Sequence, residues 1–326
     1  MFEKLIPDFL IKFFAGPYVA GDSLEHALKV AVYLAEKKKL YTTLDLLAEG
    51  MTKEEEINEV FSVYKQMIVS SATDKRFDFD DKFRPTISLK PSNFTLSPLS
   101  EKNKKPPKES RNSIFELAQI AKDLGVELTV DMEDRFWTDF TLDLVNDLWE
   151  SGFKNIGAVL QTRLKRTDKD IERIPKGMRI RLVIGIYREP PEVAYTDKRI
   201  MKERLIEFGY EFLRRGNYVE MGTHDEKVVE KFLKETVKKA NKGPEDVEIQ
   251  LLYGVPRGKL IKNIQSGELL TDNGKTPKVR LYTPFATSWP MATAYCRRRL
   301  MENPHMAGYV IKNIFARLKG RSMSEA

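Results

Sequence analysis

Short apolar runs alternate with longer stretches of helical periodicity along nearly the whole chain. Each short run is rich in valine, isoleucine, leucine or threonine and is bounded by polar residues, glycine or proline, which is typical of buried parallel strands. We predict eight strands, at Tyr41–Leu47, Thr86–Lys90, Glu127–Asp131, Ile156–Gln161, Ile180–Ile186, Tyr218–Gly222, Val247–Leu252 and Val279–Tyr282.

Apolar residues recur with the period of an amphipathic helix between these strands, as in Ile114–Leu124 and Leu205–Leu213. Capping residues mark several predicted helix boundaries. They are Asp22-Ser23 and Thr52 with Glu55 at the beginnings of helices, and Gly125 and Gly216 at the ends.

Eight strands with helices between them favour one closed β/α barrel over a doubly wound open sheet. No strand is followed by a GxGxxG or GxxxxGK[ST] sequence, which weakens the open-sheet alternative. We predict a single barrel domain over residues 1–326, with an N-terminal helical segment over residues 1–40. Ser100–Asn112, rich in lysine and proline, is predicted to be a flexible loop.

The 326 residues include 55 Lys and Arg and 48 Asp and Glu, which gives a net charge of +7. Basic and acidic residues are mixed along the chain, and this favours a solvated surface over a nucleic-acid-binding one. Cys296 is the only cysteine, so no intrachain disulfide or cysteine-based metal site can form, and no metal is expected. This cysteine usage is typical of a reducing compartment.

The first 15 residues carry four charged side chains and Pro7, and they do not resemble a signal peptide. No uncharged apolar run reaches the length of about 18 residues that a membrane span needs. We expect a cytoplasmic protein, and the amphipathic Met1–Phe14 leaves peripheral contact with the inner face of the membrane open.

Polar residues stand at or near the carboxyl ends of most predicted strands, where an α/β barrel has its active site, and Arg181 lies early in the fifth strand. Each residue alone is more typical of a cap or a surface ion pair, but together they indicate a site. They are Lys90, Asp131, Gln161, Arg181, Tyr187, Thr223-His224-Asp225, Gln250 and Tyr282.

The last predicted helix carries Tyr295, Arg298, Arg299 and Glu302 at spacings that place them on one face. Two neighbouring arginines are suited to binding a carboxylate through paired, charge-assisted hydrogen bonds. A solvated face with an Arg298–Glu302 ion pair explains the pattern equally well.

The sequence Tyr295-x-x-Arg298-Arg299-x-x-Glu302-Asn303 resembles the YxxRRxxEN motif of proline dehydrogenases. Other segments resemble that family in the same order along the chain. They are Phe14–Leu28, Thr43–Glu49, Ile87–Ser92, Val130–Arg135, Arg181–Tyr187, Gly222–Asp225, Glu248–Gly254 and Arg280–Pro284.

This resemblance implies a distorted β/α barrel that binds FAD without a Rossmann motif. It also implies oxidation of L-proline to Δ1-pyrroline-5-carboxylate by hydride transfer to flavin N5, the first step of proline catabolism to glutamate. The electrons would then pass to a quinone or another acceptor. The cofactor carries the chemistry, while the protein supplies position and electrostatic field.

The resemblance also implies roles for particular residues. The expected catalytic residues are Arg181, which would lie beside flavin N5, and Asp131, which would fix Lys90 or Arg181 in place. Asp131 and Glu302 would balance the charges of the substrate-binding cations. The residues expected to bind substrate are Lys90, Tyr282, Tyr295, Arg298 and Arg299. The residues expected to bind the cofactor are Met132, Gln161, Arg181, Ile184, Gly185, Ile186, Thr223, His224, Gln250 and Glu302.

The chain departs from the family pattern at a few positions. Ile184 stands where relatives commonly have lysine, and Gln161-Thr162-Arg163 replaces Gln-Ala-Tyr. The segment between Tyr282 and Arg298 is one residue longer than in relatives. Two alternatives stay open from the sequence: a dehydrogenase for hydroxyproline or another cyclic imino acid, and a non-enzymatic basic binding protein on a barrel scaffold.

Overall fold

The computed structural model describes residues 16–48, 50–289 and 291–293. Eight parallel strands form a closed barrel in chain order, and β1 pairs with β8 to close it. The strands are β1 Tyr41–Leu46, β2 Thr86–Leu89, β3 Leu128–Val130, β4 Ile156–Gln161, β5 Arg179–Val183, β6 Tyr218–Gly222, β7 Val247–Leu252 and β8 Lys278–Phe285. The predicted fold class and the eight predicted strands are therefore confirmed.

Strand lengths differ from the prediction mainly in β5 and β8. β5 ends at Val183, three residues before the predicted end, because Gly185 takes a left-handed φ of 97° that breaks the extended backbone. β8 continues to Phe285, three residues beyond the predicted end, because its pairing with β1 extends from Arg280 to Phe285.

Helices follow most of the strands on the outside of the barrel. They are α1 Leu24–Lys38, α2 Glu54–Thr73, α3 Lys108–Asp123, α4 Thr138–Glu150, α5 Thr167–Asp170, α6 Lys198–Arg214, α7 Glu226–Lys231, α8 Val237–Lys239 and α9 Gly258–Gln265. A π-helical turn, Phe232–Thr236, joins α7 to α8. Short 3-10 turns lie at Gly16–Tyr18, Lys75–Phe77, Asp81–Phe83, Pro91–Phe94, Ile171–Arg173 and Pro244–Asp246.

Two predicted helix beginnings have different outcomes. Ser23 caps α1, with its hydroxyl accepting a hydrogen bond from the backbone N–H of His26. At α2 the prediction paired Thr52 with Glu55, but Glu56 is the residue that reaches back, accepting from the N–H groups of Thr52 at 2.8 Å and Lys53 at 3.3 Å. The cap lies one residue later than predicted because Lys53, not Thr52, is the last extended residue.

Helix α3 begins at Lys108, so residues 108–112 of the predicted Ser100–Asn112 loop are helical. Pro107 has a φ of −75°, which suits the residue before a helix. The Ser110 hydroxyl then donates to the carbonyl of Pro91 at 2.7 Å and fastens this helix to the turn after β2.

Alternation along each strand separates an apolar shell from a polar lumen. In β7, Val247, Ile249 and Leu251 are buried against the helices, while Glu248 and Gln250 point inward and meet side chains of other strands. The main hydrophobic core therefore lies between strands and helices, and the lumen is available for polar chemistry. Among the described helices, none combines the length and apolar character needed to cross a bilayer.

Candidate active site

Two buried ion pairs occupy the amino-terminal half of the lumen. Arg280 Nε donates to Glu248 Oε1 at 2.7 Å, and Arg179 NH1 donates to Glu220 Oε1 at 2.6 Å. The Gln250 amide joins the pairs, because its Nε2 lies 2.6 Å from Glu248 Oε1 and 2.8 Å from Glu220 Oε2. Although burial raises the pKa of Glu248, Arg280 outweighs it and holds that pKa below the usual value.

Asp131, just beyond β3, is the centre of a cluster at the carboxyl ends of the strands. Its Oδ1 accepts from Arg181 NH1 at 2.8 Å and from the Ser88 hydroxyl at 3.2 Å, and its Oδ2 accepts from the Tyr282 hydroxyl at 2.7 Å. Arg181 also donates to Ser88 at 3.0 Å across the lumen, from β5 to β2. The structure thus brings together three predicted site residues, Asp131 just after β3, Arg181 within β5 and Tyr282 within β8.

Tyr282 stays protonated in this cluster. Burial raises its pKa well above the usual value, and the neighbouring Asp131 carboxylate raises it further. Its ring faces the Arg181 guanidinium, with 5.2 Å between the guanidinium carbon and the ring centre. The tyrosine is therefore a neutral hydrogen-bond donor that also covers one face of the arginine.

Lys90 binds a residue that the sequence analysis did not single out. Its ammonium donates to Asp45, which is 1% exposed, and lies 3.8 Å from Asp131 Oδ2. The expected counter-charges were Asp131 and Glu302, but Asp45 is the nearer carboxylate. The sequence feature that could have predicted this role is the carboxylate itself, at an inward position inside the apolar run of β1.

Charges in the described part of the lumen balance as four pairs. The pairs are Asp45–Lys90, Asp131–Arg181, Glu220–Arg179 and Glu248–Arg280. A buried charge is tolerated only when it is paired and hydrogen-bonded, so this balance is what permits so polar a lumen.

Glu133 is a second functional candidate that the sequence analysis missed. Its carboxylate accepts from the backbone N–H of Ser92 at 2.9 Å and from the Ser92 hydroxyl at 2.6 Å. Its backbone carbonyl accepts from Gln161 Nε2 at 2.5 Å, so Glu133 ties together the ends of β2, β3 and β4. Burial raises its pKa to about 7, against the opposing effect of the Ser92 hydrogen bonds.

His224 follows β6, as predicted, and its ring has one satisfied nitrogen. Nε2 accepts from the backbone N–H of Leu252 at 3.2 Å, so Nδ1 carries the proton of the neutral ring. Burial lowers the His224 pKa to about 4, and Arg257 adds to this effect. The residue is therefore neutral near pH 7 and presents an N–H donor at Nδ1.

Three buried polar atoms of predicted site residues have no hydrogen-bond partner within the described ranges. They are His224 Nδ1 at the mouth, Gln250 Oε1 deeper in the lumen, and Arg181 Nε, which lies 3.6 Å from Glu220 Oε2. Buried polar atoms are rarely left unpaired in folded proteins, so two donors and one acceptor here suit a bound polar molecule. Metal ions are not suited to this set, because N–H donors cannot ligate them.

The predicted cofactor segment after β5 has a specific backbone shape. A Cβ on Gly185 would clash with Gln161 Oε1, so a larger residue cannot occupy this position without displacing that amide. Ile184 is partly buried against the core, while Ile186 is 51% exposed. Met132 is buried just after β3, and Thr223 is buried just after β6.

Two positions that depart from the family pattern, Arg163 and Ile184, are hydrogen-bonded to each other. The backbone N–H of Arg163 donates to the carbonyl of Ile184 at 3.0 Å, and the Arg163 guanidinium Nε is buried with no hydrogen bond from the described chain. Burial lowers the Arg163 pKa, although Glu189 opposes the effect. The predicted residues Tyr295, Arg298, Arg299 and Glu302 lie outside the described residues.

Comparison with known proteins gives one consistent result. A family model described as proline dehydrogenase matches residues 28–189. Proline dehydrogenase 1 of Bacillus subtilis subsp. natto is 30% identical over 92% of this chain and 90% of its own length. The proline dehydrogenase of Deinococcus radiodurans is 29% identical over 94% of this chain and 90% of its own length.

The barrel is also similar to a solved structure of proline utilization A from Bdellovibrio bacteriovorus that was inactivated by N-propargylglycine. The TM-score is 0.74 at 21% identity, over 88% of this chain and 32% of that longer chain, which supports the fold. The likeness to the Bacillus and Deinococcus enzymes over nearly their full length shows that this chain belongs to the proline dehydrogenase family.

Proposed function

We propose that this protein oxidises L-proline to Δ1-pyrroline-5-carboxylate with bound FAD and passes the electrons to a quinone or another acceptor. The observation that carries the proposal is the Arg181–Asp131–Tyr282 cluster at the carboxyl ends of the strands, beside buried polar atoms that lack partners within the described ranges. Membership of the proline dehydrogenase family supplies the substrate.

The donors and acceptor at this mouth fit a flavin dinucleotide. His224 Nδ1 can donate to ring or phosphate oxygens, Gln250 Oε1 can accept from a ring or ribityl donor, and Arg181 would supply a positive charge. Gln161, Met132, Thr223 and the backbone at Ile184–Ile186 would complete this contact surface. FAD, when bound, supplies the hydride acceptor at N5.

Arg181 has the central electrostatic role in this proposal. Its charge is fixed by Asp131 and is buried, where an oriented cation stabilises developing negative charge more strongly than it would in water. Arg181 would therefore favour the reduced, anionic form of the cofactor. Asp131 holds the arginine in one orientation through NH1, and Glu220 Oε2, 3.6 Å from Nε, supports that orientation from inside the lumen.

The substrate would meet a neutral tyrosine and a set of cations. Tyr282 can cover the methylene groups of the proline ring while its hydroxyl stays bound to Asp131. Arg298 and Arg299 would bind the substrate carboxylate, and Tyr295, on the predicted last helix, would also cover the ring. Lys90 lies at the same mouth, but its ammonium is already bound to Asp45.

The absorbance spectrum of the purified protein tests the proposal. We expect a flavin spectrum that L-proline bleaches in the absence of oxygen, and whose colour a quinone then restores. Arg181→Met should retain the flavin but bleach at least about 100-fold more slowly, because one oriented charge is lost. Arg199→Met, in an exposed arginine 72% accessible on α6, is the matched control and should bleach like the wild type.

Two outcomes would contradict the proposal. A colourless protein that neither binds added FAD nor oxidises proline would exclude the cofactor and the reaction. A flavin that proline leaves unchanged, but that 4-hydroxyproline or another cyclic imino acid bleaches, would retain the reaction and change the substrate.

A further inference from the structure

Asp45 is fully buried and has a single charged partner among the described residues. One carboxylate oxygen binds the Lys90 ammonium, and the other, Oδ2, has no hydrogen-bond partner within the described ranges. Asp45 lies in β1, and Lys90 follows β2, the adjacent strand. The lysine is therefore held against the β1 side of the lumen.

Asp131, by contrast, already has three donors and is within reach of a fourth. Arg181 and Ser88 occupy Oδ1, while the Tyr282 hydroxyl occupies Oδ2 at 2.7 Å. Lys90 Nζ is 3.8 Å from that same Oδ2 and 3.5 Å from the Tyr282 hydroxyl. A small rotation of the lysine would bring its ammonium into competition with Tyr282 for one oxygen.

We infer that Asp45 is a positioning residue, which holds the Lys90 ammonium away from Asp131 and so preserves the Arg181–Asp131–Tyr282 cluster. Asp45 acts through Lys90, and it need not touch the substrate. Two carboxylates share the one ammonium, and the closer contact goes to Asp45, whose only cationic partner among the described residues is this lysine, whereas Asp131 also binds Arg181. The inference rests on the proposed function only where activity is the readout.

Asp45→Asn tests this role, because the amide has nearly the same shape but no charge. Lys90 should then turn to Asp131 and displace the Tyr282 hydroxyl. We expect kcat for proline to fall at least about tenfold, because the cluster around Arg181 is disturbed. Adding Lys90→Met to Asp45→Asn removes the competing ammonium, and the double variant should recover part of the kcat that Asp45→Asn loses.

The rescue separates positioning from direct substrate binding. If Lys90 chiefly binds the substrate carboxylate, the double variant should be at least as impaired as Asp45→Asn, with a higher KM, and that result would overturn the inference. The matched controls use an exposed pair, Glu116 and Lys65, with 4.0 Å between the charged atoms. Neither Glu116→Gln alone nor Glu116→Gln combined with Lys65→Met should change kcat or KM.

A crystal structure of Asp45→Asn gives a readout that does not depend on proline. The inference requires Lys90 Nζ to approach Asp131 Oδ2 to hydrogen-bond distance, about 2.9 Å, with Tyr282 displaced. A lysine that stays bound to the amide introduced at position 45, with Tyr282 still bound to Asp131, would overturn it. An inactive wild type with the expected lysine movement would instead reject the proposed function and retain the positioning role.

Discussion

The lumen and the outer face of helix α4 both contain aspartate or glutamate paired with arginine at nearly equal distances. In the lumen, Arg280 Nε lies 2.7 Å from Glu248, and both side chains are at most 6% exposed. On α4, Arg173 NH2 lies 2.7 Å from Asp143, which is 68% exposed. Similar geometry therefore occurs in two very different environments.

The acidic face of α4 is a series of residues one turn apart. Asp139 binds Arg166 and Arg173, Asp143 shares Arg173, and Asp147 binds Arg111 at 2.6 Å. Water screens these charges, so each pair contributes little. In the lumen, each charge is largely shielded from water and depends on its partner, so we expect burial and not distance to set the value of a pair.

The largest predicted effect is on a lumen pair. Glu248→Ala leaves Arg280 buried without its carboxylate, and we expect a loss of about 3–5 kcal/mol in the free energy of unfolding, measured by urea denaturation. Glu248→Leu combined with Arg280→Met removes both charges and should be clearly more stable than Glu248→Ala alone. A loss below about 1 kcal/mol for Glu248→Ala would show that water compensates the arginine and that the lumen is not dry.

The pattern of residues predicted the barrel and its polar strand ends, but not the lumen pairs. The carboxyl ends of the strands other than β5 and β8 were predicted to within one residue, because apolar runs and their polar boundaries are local features. Asp45, Glu220 and Glu248 were not predicted as lumen residues, because they lie inside strands and not at the polar boundaries from which the site was predicted. Their inward direction follows from period-two alternation, whereas their partners depend on which strands face each other across the closed barrel.

Glu133 was missed for a different physical reason. Its role depends on the loop after β2, where Ser92 supplies two hydrogen bonds to the carboxylate, and on the Gln161 amide from β4. No local sequence pattern predicts a contact between the ends of three different strands. The early end of β5 has a local cause, the left-handed φ of Gly185. The sequence gives the glycine but not its backbone conformation.

Glu133 provides the second prediction, which concerns pH. Its pKa is about 7 in the folded protein and about 4.5 in the unfolded chain, so the folded state binds the extra proton. Its contribution to stability is therefore full below about pH 4.5 and is lost as the pH rises through about 7. Relative to Glu133→Gln, the wild type should lose about 3 kcal/mol of unfolding free energy over that interval.

Chemical denaturation at a series of pH values measures this difference. Ser92→Ala is the opposite comparison to Glu133→Gln, because it removes a hydrogen bond that lowers the Glu133 pKa, so the loss should extend to higher pH and become larger in total. Equal pH dependence in the wild type and Glu133→Gln would mean that water reaches the carboxylate and that it does not retain a proton in the folded state.

The smallest predicted effect is on α4, where the comparison can be tested at the surface. Asp143→Asn removes one exposed partner of Arg173, which still contacts Asp139 at 2.7 Å. We expect the free energy of unfolding to change by less than about 0.5 kcal/mol, and the difference to vanish in about 1 M salt, where the screening length is about 3 Å. Asp139→Asn is the graded comparison, because it removes a partner from both Arg166 and Arg173 and should cost more than Asp143→Asn. If Asp143→Asn cost as much as Glu248→Ala, pair geometry would outweigh burial, and the contrast between the two regions would fail.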